Sequence, residues 1–176
     1  MRDFKIMSQE VCNSCSGTKN VQTCVYCKKQ VCKKCYEFVS EEEFSMYPKI
    51  PKSLVFGPVC TDCIIDKIQP ERQIYEELCD KAKEVYFLTK NYRGNVRILA
   101  RHTKRVAVED VPDRREAILR MAFMAAQLNF NAIIEAEIKD KKTRTSDGYQ
   151  STLWSASAMP AKVDGEHLEL ASLKGL

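Results

Sequence analysis

Residues Cys24–Cys35 read CVYCKKQVCKKC, four cysteines and four lysines in twelve positions. The cysteines form two C-x-x-C pairs, Cys24/Cys27 and Cys32/Cys35, and working outward two more appear, Cys12/Cys15 upstream and Cys60/Cys63 downstream. The gaps between successive pairs are 8, 4 and 24 residues, and the ninth cysteine, Cys79, stands alone. Two residues between ligands is the spacing at which a tight turn aims two thiolates at one ion, and two such pairs complete a tetrahedral Zn²⁺ site. Four pairs therefore predict two closed Cys₄ sites that hold two Zn²⁺. A closed site has no open coordination position, so its role is structural. Redox C-x-x-C motifs come singly in a βαβ setting, and ferredoxin runs space their cysteines more tightly. Spacing alone leaves the pairing open. Pair one could join pair two and three join four, or the pairs could interleave.

The rest of the chain constrains the setting. No run of about 18 apolar residues exists to cross a membrane. The opening MRDFKIMSQEVCNSC lacks the ~7–15-residue apolar core and small-residue cleavage site of a secretory signal. A cytoplasmic location is expected, where thiols stay reduced and disulfides are disfavoured. The formal charge of +4 treats cysteine as neutral. Eight thiolates and two zinc ions bring the loaded chain near neutrality, which gives no strong global pull toward nucleic acid or anionic membrane. Between Val11 and Ile68 large apolar residues are few and scattered, so this segment is expected to need metal in order to fold.

VCNSC, TCVYCKKQVCKKC and GPVCTDCI together resemble the FYVE-type zinc finger over residues 11–66, in pair order, in the four-residue central gap and in the approach to the last pair. That resemblance implies an interleaved cross-brace, with Cys12, Cys15, Cys32 and Cys35 on one zinc and Cys24, Cys27, Cys60 and Cys63 on the other. It also implies a short helix over Asp62 to Ile68. The family's lipid-reading basic-histidine motif would fall on Asn20–Thr23, which reads NVQT, and Pro58 stands where an arginine would be. Phosphoinositide binding is therefore not the favoured reading. RING-type braces interleave in the same way but usually carry a histidine ligand, and this chain has none before His102.

The organisation read from sequence is a finger over residues 1–69, a connecting helix over 70–88 and a second domain over 89–176. The fold class is α+β, a two-zinc brace followed by an antiparallel sheet with packed helices. Pro70 suits a helix's first turn, and Ile74, Leu78 and Ala82 form one stripe along PERQIYEELCDKAKEVYF. Cys79 beside that stripe reads as a small buried hydrophobe. Three short β-like runs follow (EVYFLT, NVRILAR, RVAVE). DVPDRREAILRMAFMAAQLNF is a helix with Pro112 in its first turn and Ile118, Met121, Ala125 and Leu128 on one face. NAIIEAEIKDKK alternates as a strand, with Ile134, Ala136 and Ile138 opposite Glu135 and Glu137. A turn at Asp147-Gly148 leads back through STLWSASAMPAKV, where Trp154, Ala156 and Ala158 alternate with Ser155 and Ser157 and Pro160 is expected at an edge or strand end.

REAILRMAFMAAQLNFNAIIEAEI and GYQSTLWSASAMPAKV resemble the YbjQ-like family of small α+β proteins, labelled heavy-metal binders, over about residues 84–163. That resemblance implies a sheet with one packed helix and a ring-like homo-oligomer. Asn129-Phe130 replaces a small pair usual in that family. The two histidines, His102 and His167, have no ligand spacing. No P-loop or nucleophile elbow is present and no catalytic residue is assigned, so the chain is read as a non-enzyme. Lys90, Arg93, Arg97, Arg101, Lys104 and Arg105 form a basic run without an acid, and Lys139, Lys141, Lys142 and Arg144 a second cluster. If the two converged they would make an anion-binding face with Arg93, Arg97, Arg101, Lys104 and Arg105 at its centre. The expected function is a zinc-binding adaptor with protein partners and a self-associating second domain. Metal handling is one alternative, and anion, nucleic-acid or lipid binding is the other.

Overall fold

The computed structural model describes residues 11–144 and 150–165. The fold is mixed α and β, and the chain divides into two compact units. Of the described residues, the first comprises 11–45 and Lys49–Tyr75, and the second Met46–Pro48 and those from Glu76 onward.

The first unit carries two small antiparallel ladders. β1 (Val21–Thr23) pairs with β2 (Gln30–Cys32), and β3 (Tyr36–Val39) with β4 (Gly57–Cys60). A 3₁₀ turn, Glu41–Phe44, brings Phe44 inward, where its ring meets Tyr75 edge-on at 5.2 Å and Phe56 at 6.4 Å. Val31, Val39, Leu54, Val59 and Ile68 complete a thin buried core. After β4 the backbone is helical through three segments: α1 (Thr61–Cys63), a π-turn (Ile64–Ile68) and α2 (Gln69–Lys83). The wide turn has a local cause. Pro70 has no N–H and its ring would crowd the carbonyl four residues back, so the ladder loosens just ahead of it. The Gln69 N–H accordingly reaches back five residues, to Ile64 O.

The connecting helix ends at Lys83 rather than running through residue 88, because Tyr86–Thr89 forms the first strand of the next unit. Its buried stripe also differs from the expected one. Ile74 is 50% exposed, while Ile68 and Ala82 are fully buried and Tyr75 packs on Phe44. These three lie seven residues apart, so the seam follows two full helical turns rather than single ones.

Among the described residues the second unit holds a five-stranded sheet, the end of α2 and one complete helix. β5 (Tyr86–Thr89) lies beside β8 (Ala132–Arg144), β8 beside β9 (Gln150–Val163), and β9's far side carries β6 (Ile98–Arg101) and then β7 (Val106–Val111). All pairings are antiparallel, as expected, except β5 with β8, a parallel edge that makes the sheet mixed. The parallel edge follows from connectivity, since α3 (Arg114–Gln127) and β6–β7 intervene between β5 and β8.

α3 begins after Pro112 rather than including it in its first turn. Asp113 is its cap, accepting from the Arg115 N–H at 2.8 Å, and Pro112 precedes the cap. Ala117, Ile118 and Met121–Ala126 are all buried, so the helix is covered on more than one face. Leu128, expected in the core, is 41% exposed because it caps the helix's end. There Asn129 takes φ 61°, its N–H bonds Ala126 O at 2.9 Å and the Phe130 N–H bonds Ala125 O at 2.9 Å. This is a Schellman stop, and asparagine is the residue other than glycine best able to make it. Asn131 then lies beside β9, its side chain giving and taking a hydrogen bond with the Val163 backbone at 2.9 and 2.8 Å.

Pro160 is inside β9, not at an edge. It sits opposite Ile133 of β8, and its carbonyl accepts from His102 N–H at 2.9 Å on the other side. In a strand a residue's N–H and C=O point the same way. The missing N–H therefore faces the connection between β6 and β7, where no ladder strand requires it.

Candidate metal centres

The eight cysteines gather into two groups, Cys12, Cys15, Cys32 and Cys35, and Cys24, Cys27, Cys60 and Cys63. Within each, the four sulfurs lie within 4.8 Å of one another. The Cys15–Cys32 sulfurs are 3.4 Å apart and the Cys27–Cys60 sulfurs 3.6 Å. These separations are far beyond a disulfide bond. They approach the ~3.8 Å edge of a tetrahedron with ~2.3 Å metal–sulfur bonds. The pairs interleave, first with third and second with fourth. Each group can hold a metal ion. No other cluster of three or more histidine, cysteine or carboxylate side chains is so arranged among the described residues.

Backbone geometry explains the interleaving. The first two pairs are near copies of one knuckle. Ser16 N–H bonds Cys12 O at 2.9 Å and Lys28 N–H bonds Cys24 O at 3.0 Å. Cys12 N–H bonds Gly17 O at 2.8 Å and Cys24 N–H bonds Lys29 O at 2.9 Å. Ser16 and Lys28, each just after the second cysteine, adopt φ 57° and 64°. Each knuckle then docks at the same point relative to its partner pair. Asn13 N–H bonds Gln30 O at 2.8 Å, two residues before Cys32. Val25 N–H bonds Pro58 O at 3.0 Å, two residues before Cys60. The finger is thus two equivalent half-sites wound through each other, β1 carrying the chain from the first knuckle to the second.

The bare thiols are electrostatically unequal, and the first cysteines of the two groups are lowered while the last are raised. The Cys12 thiol is pulled down to about 6, chiefly by the Cys32 backbone. Burial raises Cys24, but N–H groups led by that of Cys60 outweigh it and bring the thiol to about 6. Neighbouring sulfurs, Cys15 first, push Cys35 up to about 12, and burial first of all pushes Cys63 up. Four sulfurs in contact cannot all ionise without a counter-charge, and a dication removes that conflict.

A cavity of about 520 Å³ beside the first group is lined by Gly17, Thr18, Lys19, Asn20, Lys33 and Lys34 with Cys15 and Cys32. Lys28 Nζ donates to Val25 O at 2.8 Å, so this lysine braces its own knuckle. Cys79 is half-buried and in no disulfide.

The two basic clusters lie along one sheet and meet in part, Arg105 reaching Ser157 O while Lys139 lies opposite Ser155. Arg101 lies against Ala161 of β9, whereas Lys139 and Arg144 lie against Ser155 and Gln150. At ~3.4 Å per residue Arg101 is roughly 20 Å from Lys139 and roughly 37 Å from Arg144 along that strand. Much of the first run is also engaged locally. Arg101 pairs with Glu135 at 3.0 Å, Arg105 with Glu135 at 3.5 Å and Lys90 with Glu137 at 3.0 Å. Arg105 Nη2 further bonds Glu135 O at 2.8 Å. Glu135 gathers these partners because it sits in a bulge at φ 53°, where β8 slips register against β9 between Ile134 and Glu137. His102 is held by Lys104's backbone at 2.9 Å and by the Phe130 ring at 5.7 Å. His167 and the Asp147-Gly148 turn lie outside the described residues.

No family profile, curated protein or solved structure matches the chain. Among the described residues no helix is long and apolar enough to cross a membrane.

Proposed function

We propose that the chain is a non-enzymatic, zinc-binding interaction protein. Two structural Zn²⁺ ions fold its N-terminal finger, and that finger docks a partner protein. The single observation that carries this reading is the pair of interleaved four-sulfur groups, whose ligand number leaves no coordination position for substrate. Thiolate-only donors favour zinc among the common structural metals. Interleaving is what the FYVE-type resemblance implies, and RING-type braces share it, so the grouping supports a brace more firmly than one named family. The YbjQ-like resemblance adds self-association of the second unit, which would present several fingers on one assembly. Metal handling by the second unit finds little support, because its one described histidine is engaged by Lys104 and Phe130.

Elemental analysis of the full chain, purified without added metal, tests the reading: two zinc ions per chain are expected, and a third retained ion would favour metal handling. Light scattering should find a mass that is a multiple of the chain's 20.2 kDa. A Cys32→Ser chain that keeps every binding partner of the wild type would overturn the finger's docking role.

A further inference from the structure

β8 and β9 continue as a two-stranded ribbon past the rest of the sheet. β5's register with β8 ends at Ala136, and β7's with β9 ends at Trp154. The pairs Lys141↔Leu153, Lys142↔Thr152, Thr143↔Ser151 and Arg144↔Gln150 have no third strand on either side among the described residues. Ile138–Arg144 holds four cations and one acid, and the facing Gln150–Trp154 holds no charge. Lys141, Lys142 and Arg144 are exposed and make no ion pair among the described residues, in contrast to Lys90, Arg101 and Arg105.

Strand alternation puts Lys141 on one face of the ribbon and Lys142 and Arg144 on the other. A planar lipid surface meets one face at a time. A groove between two phosphate backbones meets both. The ribbon's strands are ~4.8 Å apart, and with side chains such a ribbon fits the ~12 Å major groove of B-form DNA. The unsupported part is four residues, roughly 14 Å at ~3.4 Å each, longer than that groove is deep at about 8.5 Å. We propose that the β8–β9 ribbon is a docking surface for double-stranded DNA, held by Lys141, Lys142 and Arg144 on the phosphates. This goes beyond the role of the finger and does not depend on it.

The test uses the zinc-loaded full chain and a fluorescent 20-base-pair duplex, titrated across salt. Three phosphate contacts predict a log–log slope of about −2.7. Lys141→Gln with Lys142→Gln should reduce that slope to about −0.9 and weaken binding about 60-fold at 0.1 M salt. Zinc content and melting of this variant should stay at wild-type values, since both side chains are exposed. Lys33→Gln with Lys34→Gln, on the finger, should leave binding unchanged. Absence of binding at 50 mM salt would overturn the proposal. So would binding that survives the ribbon change but not the finger change, a preference for the single strand, or a preference for anionic vesicles.

Discussion

Removing the metal should unfold the first unit and spare the second. Among the described residues, the first unit buries six large apolar side chains outside the cysteines: Val31, Val39, Phe44, Leu54, Val59 and Ile68. At ~1.5–3 kcal/mol each they contribute on the order of 10–15 kcal/mol. Two zinc ions at ~10–16 kcal/mol apiece contribute roughly 20–30 kcal/mol, about twice as much. The zinc contribution exceeds the ~5–15 kcal/mol net stability of an ordinary domain, so the loss of both ions is decisive. The assay is an amide NMR spectrum of the full chain, recorded before and after a strong chelator with reductant present. Signals from residues 11–68 should collapse to the narrow range of an unfolded chain, and all eight thiols should become reactive. Signals from β8, β9 and α3 should keep their dispersion, because that unit contains neither cysteine group. A metal-free chain that retained dispersed signals for Val31, Phe44 and Val59 would refute the reasoning, since it would show that the thin core suffices.

Cadmium substitution should give two ¹¹³Cd resonances, with Cys12 and Cys35 protons coupled to one and Cys24 and Cys63 protons to the other; coupling of Cys12 and Cys24 to a common ion would refute the interleaving. Gly57→Ala should destabilise the first unit by ~1–3 kcal/mol, read as a lower chelator midpoint. The backbone there is at φ 132° and a new Cβ would lie 2.8 Å from Val25 Cγ1. Arg72→Ala should cost about 1 kcal/mol in finger stability, because one guanidinium joins Glu37 and Glu43 at a partly exposed site, and Arg72→Lys should recover only part of it. The Lys90 ammonium holds the Glu137 carboxyl below the usual carboxylate range. Its contribution is therefore present above the ordinary glutamate pKa and is lost as pH falls through the lowered value. A carboxyl NMR titration should show the midpoint rising in Lys90→Ala, and an unchanged midpoint would contradict the pairing.

The metal ligands were legible because C-x-x-C encodes ligand geometry within four residues. Their partition was not, since spacing fits sequential and interleaved pairings equally; it is set by the docking of Asn13 on Gln30 and Val25 on Pro58, contacts that no local pattern carries. In the second unit, helix α3 and strands β8 and β9 showed in their periodicity. Two features there broke the pattern. The bulge at Glu135 interrupts an otherwise regular alternation, and only the pairing strand reveals it. Ile74 looked buried by its spacing, yet the buried positions are Ile68 and Ala82, with Tyr75 packed on Phe44. The basic run appeared unpaired in sequence because its carboxylate partners, Glu135 and Glu137, lie some thirty to fifty residues away in the chain.

Pro160 has a consequence for how the sheet finds its alignment. β9 is flanked on both sides, and proline tolerates only a neighbour that asks for no donor at that point. Sliding β9 by one residue against β8 would turn the ring's empty position toward β8, where a carbonyl would lose its partner, and would carry Ala156 and Ala158 to the opposite face. The ring therefore works as a key cut for a single lock. A strand of fourteen residues, with many near-equivalent ways to lie beside its neighbour, is left with one that closes.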